Sequence, residues 1–308
     1  MLFLLSAALR FHSKPVAEVA CRSTPKFQSR ARALAQELRQ LEAKEIKKQL
    51  HVNDAVSKQY AQGLSNFEAQ HPLSACCLYD NKLFSAVDFP NMDADDSEWA
   101  NRYVRIFSGL YGFLRPYDEI QPLSLPVGLN TKLTNSKGKF LRDYWREAVQ
   151  QELYDTLQKL PMPVIVNLAA EEDTAGLLDL DSLPEGTRVT SVEFKMPDRD
   201  EAQSAKGEFL RWALDNRCMV VEELLEFQGL VEEGEDATFR ISPKRTSPDH
   251  ILFEEAGGGG WARKLAESGM SKTKFMKEEA GGKNRYKRQE LKRALDKANK
   301  GRKVAEVY

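Results

Sequence analysis

The chain opens on an unbroken apolar run, MLFLL, closed by Ser6. A run without alternation suits a strand buried on both faces, so a first strand is expected there. The competing reading is a cleaved targeting segment, although the run is short and lacks a basic leading region. Arg10, Ser13, Arg22 and Ser23 keep an organelle transit peptide as a minor alternative. Between residues 23 and 50 the pattern is helical, with Leu34, Leu38 and Leu41 spaced by four and three, and residues 52–70 continue as a second helix. Residues 74–89 read as two short strands about Asp80-Asn81-Lys82, since Asn tolerates the left-handed backbone of such a turn. Residues 92–112 predict a helix with Ser97 as N-cap and Tyr103, Ile106, Phe107 and Leu110 on one face. Gly112 follows as its C′ residue and Pro116 prevents continuation. Beyond lie an amphipathic helix at 141–160, a buried strand at 162–167 and another strand at 187–194. Two short helices within 204–229, broken near 216–219, and a last strand at 237–245 complete the pattern. Helices and strands alternate irregularly, which predicts an α+β, or mixed α/β, domain.

Charge divides the chain. Residues 1–255 carry 30 Lys and Arg against 40 Asp and Glu, a net of −10, whereas residues 256–303 carry 15 against 5, a net of +10. Together with the glycines at 257–260, this places a folded domain at 1–247 and a Gly-rich hinge with a basic tail at 248–308. The tail has a thin apolar face (Leu291, Leu295), so a flexible or partly helical segment is expected. Its Lys283, Arg285, Lys287, Arg288, Lys292 and Arg293 are candidate nucleic-acid contacts, with a solvated extension as the plainer reading. No apolar run approaches the ~20 residues that span a bilayer, so no membrane partner is expected. Four cysteines without a CxxC predict free thiols in a reducing compartment, hence the cytoplasm, with Cys76 and Cys77 as buried apolar residues of a strand.

Most enzyme motifs are missing. Neither glycine cluster continues as a phosphate-binding P-loop, and His12, His51, His71 and His250 do not form a zinc or Ser-His-Asp pattern. No cofactor or metal is called for, and Asp93, Asp95 and Asp96 suit a helix amino end better than a cation. One enzyme-like constellation stands out: Glu171, Glu172 and Asp173 follow a strand, where α/β proteins often place functional groups.

Four blocks, YVRIFSGLYGFLRPYDEIQPLSLPVG, GKFLRDYW, VIVNLAAEE and AKGEFLRWALDNR, resemble the YaaA family of peroxide stress resistance proteins, over roughly residues 1–245. The resemblance places MLFLLS at the family's first strand. It implies a single compact domain with a sheet enclosed by helices, a cleft, and a helix-hairpin-helix-like element that binds duplex DNA, intact or bulged. It also implies a non-enzymatic role in the hydrogen peroxide response, linked to limiting free iron. Matching positions are Ser108, Gly109, Leu110, Tyr111, Gly112, Arg115, Pro116, Gln121 and Pro122, then Trp145, Asn167 and Glu172, then Lys206, Gly207, Arg211, Asn216 and Arg217.

These residues admit two readings each. Arg115, held extended by Pro116, is placed either to clamp a phosphate or carboxylate, or to pair with Asp118 or Glu119 and lock the turn. Gly109 and Gly112, three apart on the expected helix, would let a neighbouring backbone approach. Lys206, Arg211 and Arg217 are either phosphate contacts or surface helix residues, and the usual glycine-rich hairpin is replaced by Cys218–Val221. The family's Pro-Ala-Lys-Thr turn is replaced by Ala7-Ala8-Leu9-Arg10, and Ala170 and Asp173 stand where the family has Ser and Tyr. Three functions are thus expected in turn. The first is a DNA-binding peroxide-stress protein. The second is an enzyme using Arg115, Asn167 and Glu172, and the third a scaffold whose tail engages RNA or an acidic protein.

Overall fold

The first apolar run does form a strand. The computed structural model describes residues 1–12, 19–128, 132–229 and 238–256; the six tail cations named above lie outside them. In chain order the described elements begin with β1 (Leu2–Ser6), α1 (Gln28–Leu38), α2 (Ala43–Leu50), α3 (Asp54–Ser65) and β2 (Leu73–Ser74). There follow α4 (Ala75–Leu78), α5 (Lys82–Val87), α6 (Ala94–Tyr103), β3 (Val104–Ser108), β4 (Gly112–Leu114) and β5 (Glu119–Ile120). The remainder are α7 (Leu141–Leu157), β6 (Val164–Asn167), α8 (Glu171–Thr174), β7 (Arg188–Lys195), α9 (Arg199–Asp215), α10 (Val221–Leu224), β8 (Phe239–Ile241) and β9 (His250–Glu255).

Seven strands make one sheet in the order β4-β3-β1-β6-β7-β9-β8, with β3, β1, β6, β7 and β9 parallel and β4 and β8 antiparallel at the edges. The fold is therefore mixed α/β, as the alternation of patterns predicts. β1 is apolar up to Ser6, and β3 is buried along its whole length although it carries Arg105 and Ser108, as befits strands covered on both faces. β7 alternates instead. Its Thr190, Val192 and Phe194 face inward while Glu193 and Lys195 face water. Phe194 packs on Phe253 of β9 and Phe209 of α9, with ring centroids 5.0 and 6.0 Å away.

Several elements differ from the pattern reading. Residues 23–50 form two helices rather than one, interrupted at 39–42. Residues 74–89 form α4 and α5 instead of two strands: the Asn81 side chain accepts from Phe84 N at 2.9 Å, so it starts a helix rather than turning a hairpin. Cys76 and Cys77 are buried as expected, but in α4. The expected helix at 92–112 ends at Tyr103, and its N-cap is Asp93, which accepts from Asp96 N at 2.8 Å. Ser97 is buried and bonded to Tyr117 Oη at 3.0 Å. Ile106 and Phe107 belong to β3, beside β1. A short apolar run satisfies helical spacing and a buried strand equally, and pairing with β1 decides. The last strand, β9, lies past residue 247 and fills the place between β7 and β8. The folded sheet thus extends to Glu255, because Ile251, Leu252 and Phe253 are as apolar as any core strand.

Candidate functional site at the switch point of the sheet

The chain leaves β1 for β3 on one side and leaves β6 for β7 on the other. The carboxyl ends of β1 and β6 therefore flank a switch point, the place where open α/β sheets receive ligands. Ser6, Asn167 and Asp173 lie there, and Lys206 reaches the same turn at Leu168 O. Ser6 closes β1, and its hydroxyl accepts from Ala170 N at 2.9 Å. Asn167 closes β6 and turns the chain by accepting from Ala169 N at 3.1 Å. Asp173 of α8 is pushed above the usual carboxylate range by burial and by Glu172, against the opposing hydrogen bond of Ser6. Lys206 of α9 donates to Leu168 O at 3.0 Å, and burial lowers its ammonium, with Glu193 opposing. Gly128 comes so close that a β-carbon there would stand 3.0 Å from Asp173 Oδ1. Burial thus disfavours the charged form of both Asp173 and Lys206, a perturbation common at functional sites.

The glycine-aromatic motif builds the adjoining wall. Ser108 Oγ accepts from Tyr111 N at 3.2 Å, Gly109 N donates to Leu125 O at 2.9 Å, and Trp145 Nε1 donates to Gly109 O at 2.8 Å. Tyr111 Oη donates to Gln121 Oε1 and accepts from Gln121 N at 3.0 Å. Trp145 is wholly buried, so it shapes the turn and presents no face to a ligand. Gly109 and Gly112 lie in this turn and at the start of β4, not on a helix, and Gly112 adopts φ +72°.

The other sequence candidates are placed elsewhere. β4 runs antiparallel to β3, which returns Arg115 to the amino edge of the sheet. The five residues of β3 separate that edge from the switch point by about 15 Å. Arg115 is thus not assembled with Asn167 and Glu172. Its guanidinium donates to Asp118 Oδ1 from Nε at 3.1 Å and Nη2 at 2.8 Å, and to Thr24 O at 2.9 Å, the turn-locking arrangement. Arg211 Nε donates to both oxygens of Asp215 at 2.9 Å and its Nη1 to Val87 O at 3.2 Å. Arg217, at φ 53° in the break between α9 and α10, pairs with Asp96 and lies 4.9 Å from the Trp99 ring. Lys206 alone of these three cations reaches the switch point. Among the described residues no group of three His, Cys, Asp or Glu could hold a metal ion, and no helix is long and apolar enough to cross a membrane.

The sequence pattern singled out Asp173 only within the Glu171–Asp173 run, and passed over Ser6 and Arg105. The available signal was the polar residue ending an apolar strand, and for Arg105 a charge inside the apolar run YVRIF.

Comparison with known proteins then decides the family. The model of the Peroxide stress protein YaaA family matches residues 1–232. The chain belongs to this family. A UPF0246 protein of Maricaulis maris is 30% identical over 275 residues, covering 86% of this chain and all of the relative. Another, from Cereibacter sphaeroides, is 31% identical over 271 residues, covering 83% of this chain and all of the relative. A third, from Ralstonia nicotianae, is 34% identical over 176 residues, 56% of this chain and 68% of the relative. The glycine-aromatic turn and the switch point both fall inside the family match, whereas β8 and β9 lie beyond it.

Proposed function

We propose that this YaaA-family protein acts in the response to hydrogen peroxide by binding duplex DNA, with the segment beyond Glu255 supplying the phosphate contacts. The observation that carries the reading is the division of charge, −10 over residues 1–255 against +10 over 256–303. Binding to a polyanion is dominated by phosphate neutralisation, which an acidic body opposes and 15 clustered cations favour. The body's own candidates argue the same way: Lys206, Arg211 and Arg217 are already committed to internal carbonyls and carboxylates. An enzyme built on Arg115, Asn167 and Glu172 is not proposed, since these stand at opposite ends of the sheet.

The test is fluorescence anisotropy of labelled intact and bulged duplexes, and of single-stranded RNA, with the full chain and with residues 1–256 across a salt series. The truncation keeps every described strand. Full-length protein is expected to bind duplex with a log-log salt slope of about −0.9 per phosphate neutralised, and residues 1–256 to lose that affinity. Undiminished binding by residues 1–256 would return the contact to the body. A clear preference for RNA would replace DNA as the partner.

A further inference from the structure

At the amino edge of the sheet, opposite the switch point, lies a cleft of about 590 Å³, within the size range of small-molecule sites. Five cations line it: Lys26 before α1, Arg102 on α6, Arg105 on β3, Arg115 after β4 and Lys159 after α7. Two carboxylates, Glu98 and Glu152, face them. This balance reverses the sign of the acidic body around it.

Arg105 forms the floor. It is only 8% exposed within a strand buried along its whole length, an expensive place for a guanidinium unless it is well partnered. One arm is: Nη1 donates to the carbonyls of Asn101, Arg102 and Val104 at 3.2, 3.2 and 2.9 Å, closing the carboxyl end of α6. The other arm is poorly served. The carboxylate nearest Nη2, Glu152 Oε1, is 4.0 Å away, and Glu152 is already held by Lys26. Burial pulls the guanidinium down to about 10, with Glu152 opposing, so it remains charged at neutral pH but under-compensated. Among the described residues, Arg102 and Lys159 form no ion pair either. Arg115, by contrast, is satisfied by Asp118 and stiffens the wall.

We propose that this cleft binds a small organic anion, received through a phosphate or carboxylate group by the free arm of Arg105 together with Arg102 and Lys159. A guanidinium fork over a buried floor suits either group, and the rim carboxylates Glu98 and Glu152 disfavour a long polyanion. The site is separate from the switch point.

The experiment is calorimetric titration of the full-length protein at constant ionic strength with inorganic phosphate, adenosine 5′-monophosphate and succinate. The comparison is the doubly substituted Arg102→Ala, Lys159→Ala chain, whose two changes lie at the cleft rim and leave the sheet untouched. Saturable binding of at least one probe is expected, weakened about tenfold or more by the double substitution, as loss of charge-assisted hydrogen bonds implies. Tighter binding of the nucleotide than of phosphate marks an organic phosphate, and binding of succinate alone marks a carboxylate. Arg105→Lys keeps a cation on the floor while removing the free arm, and it too is expected to weaken binding. Absence of saturable binding to all three probes at millimolar concentration overturns the proposal. So does binding that survives the double substitution unchanged, which would place the anion on the basic segment instead.

Discussion

Three glycines allow the two costs of replacing glycine to be separated. Gly138 and Gly112 share φ +72°, but a β-carbon on Gly138 would meet nothing within 4 Å, whereas on Gly112 it would stand 2.5 Å from Trp145 Cε3. Gly109 needs no left-handed backbone, yet its β-carbon would stand 2.5 and 2.6 Å from the carbonyl oxygens of Leu125 and Pro126. Gly138→Ala therefore pays conformation alone, about 1–2 kcal/mol. Gly109→Ala meets only the clash, about 1–3 kcal/mol for overpacking. Gly112→Ala carries both, about 2–5 kcal/mol, because Trp145 is fully buried and anchored by its indole N–H to Gly109 O and cannot swing aside. Urea unfolding followed by tryptophan fluorescence measures the series. In thermal scans, each kcal/mol corresponds to about 2–4 °C for a body of this size. A Gly112→Ala loss no greater than that of Gly138→Ala would refute the claim that packing against Trp145 demands glycine in the family's turn.

Other outcomes follow from the same contacts. Asp118 is 1% exposed and accepts from Arg115 N, Nε and Nη2 and from Ser23 Oγ. Asp118→Ala is expected to cost about 3 kcal/mol in urea unfolding, the low end for a broken buried pair because Arg115 keeps some contact with water. Asp173 holds its proton more tightly folded than at its ordinary value of 3.8, so that stabilisation is complete below 3.8 and is lost as pH rises through the folded pKa. Asp173→Asn, which cannot ionise, should therefore gain stability relative to the parent as pH rises, and a pH-independent difference would refute the burial argument. Removing residues 257–308 should leave the urea midpoint of the body unchanged while abolishing salt-sensitive duplex affinity, and a collapse of the midpoint would show that the segment supports the fold.

Much of the fold was legible because some residues admit one physical solution. MLFLL has no polar face, so it can only be buried on both sides, and it became an interior strand of the sheet. TRVTSVEF alternates, so one face had to be wet. The opposed charges of body and tail are a property of composition and need no coordinates. Elsewhere local pattern was degenerate. Tyr103, Ile106, Phe107 and Leu110 satisfy helical spacing, but hydrogen bonding to β1 fixes Ile106 and Phe107 in a strand. Asn81 suits a turn and a helix cap equally, and the packing of α5 on α9 selected the cap. The candidate site was degenerate in the same way, since residue type names a chemistry but not a neighbour. Arg115 and Glu172 looked like partners until the antiparallel return of β4 carried one of them to the far edge of the sheet. Ser6 and Asp173 are separated by 167 residues along the chain, and only the parallel pairing of β1 with β6 brings them together. Burial and hydrophobic content are local sums that a sequence carries in itself. Which charged groups meet depends on strand order and direction, and those are set by long-range pairing that no local window contains.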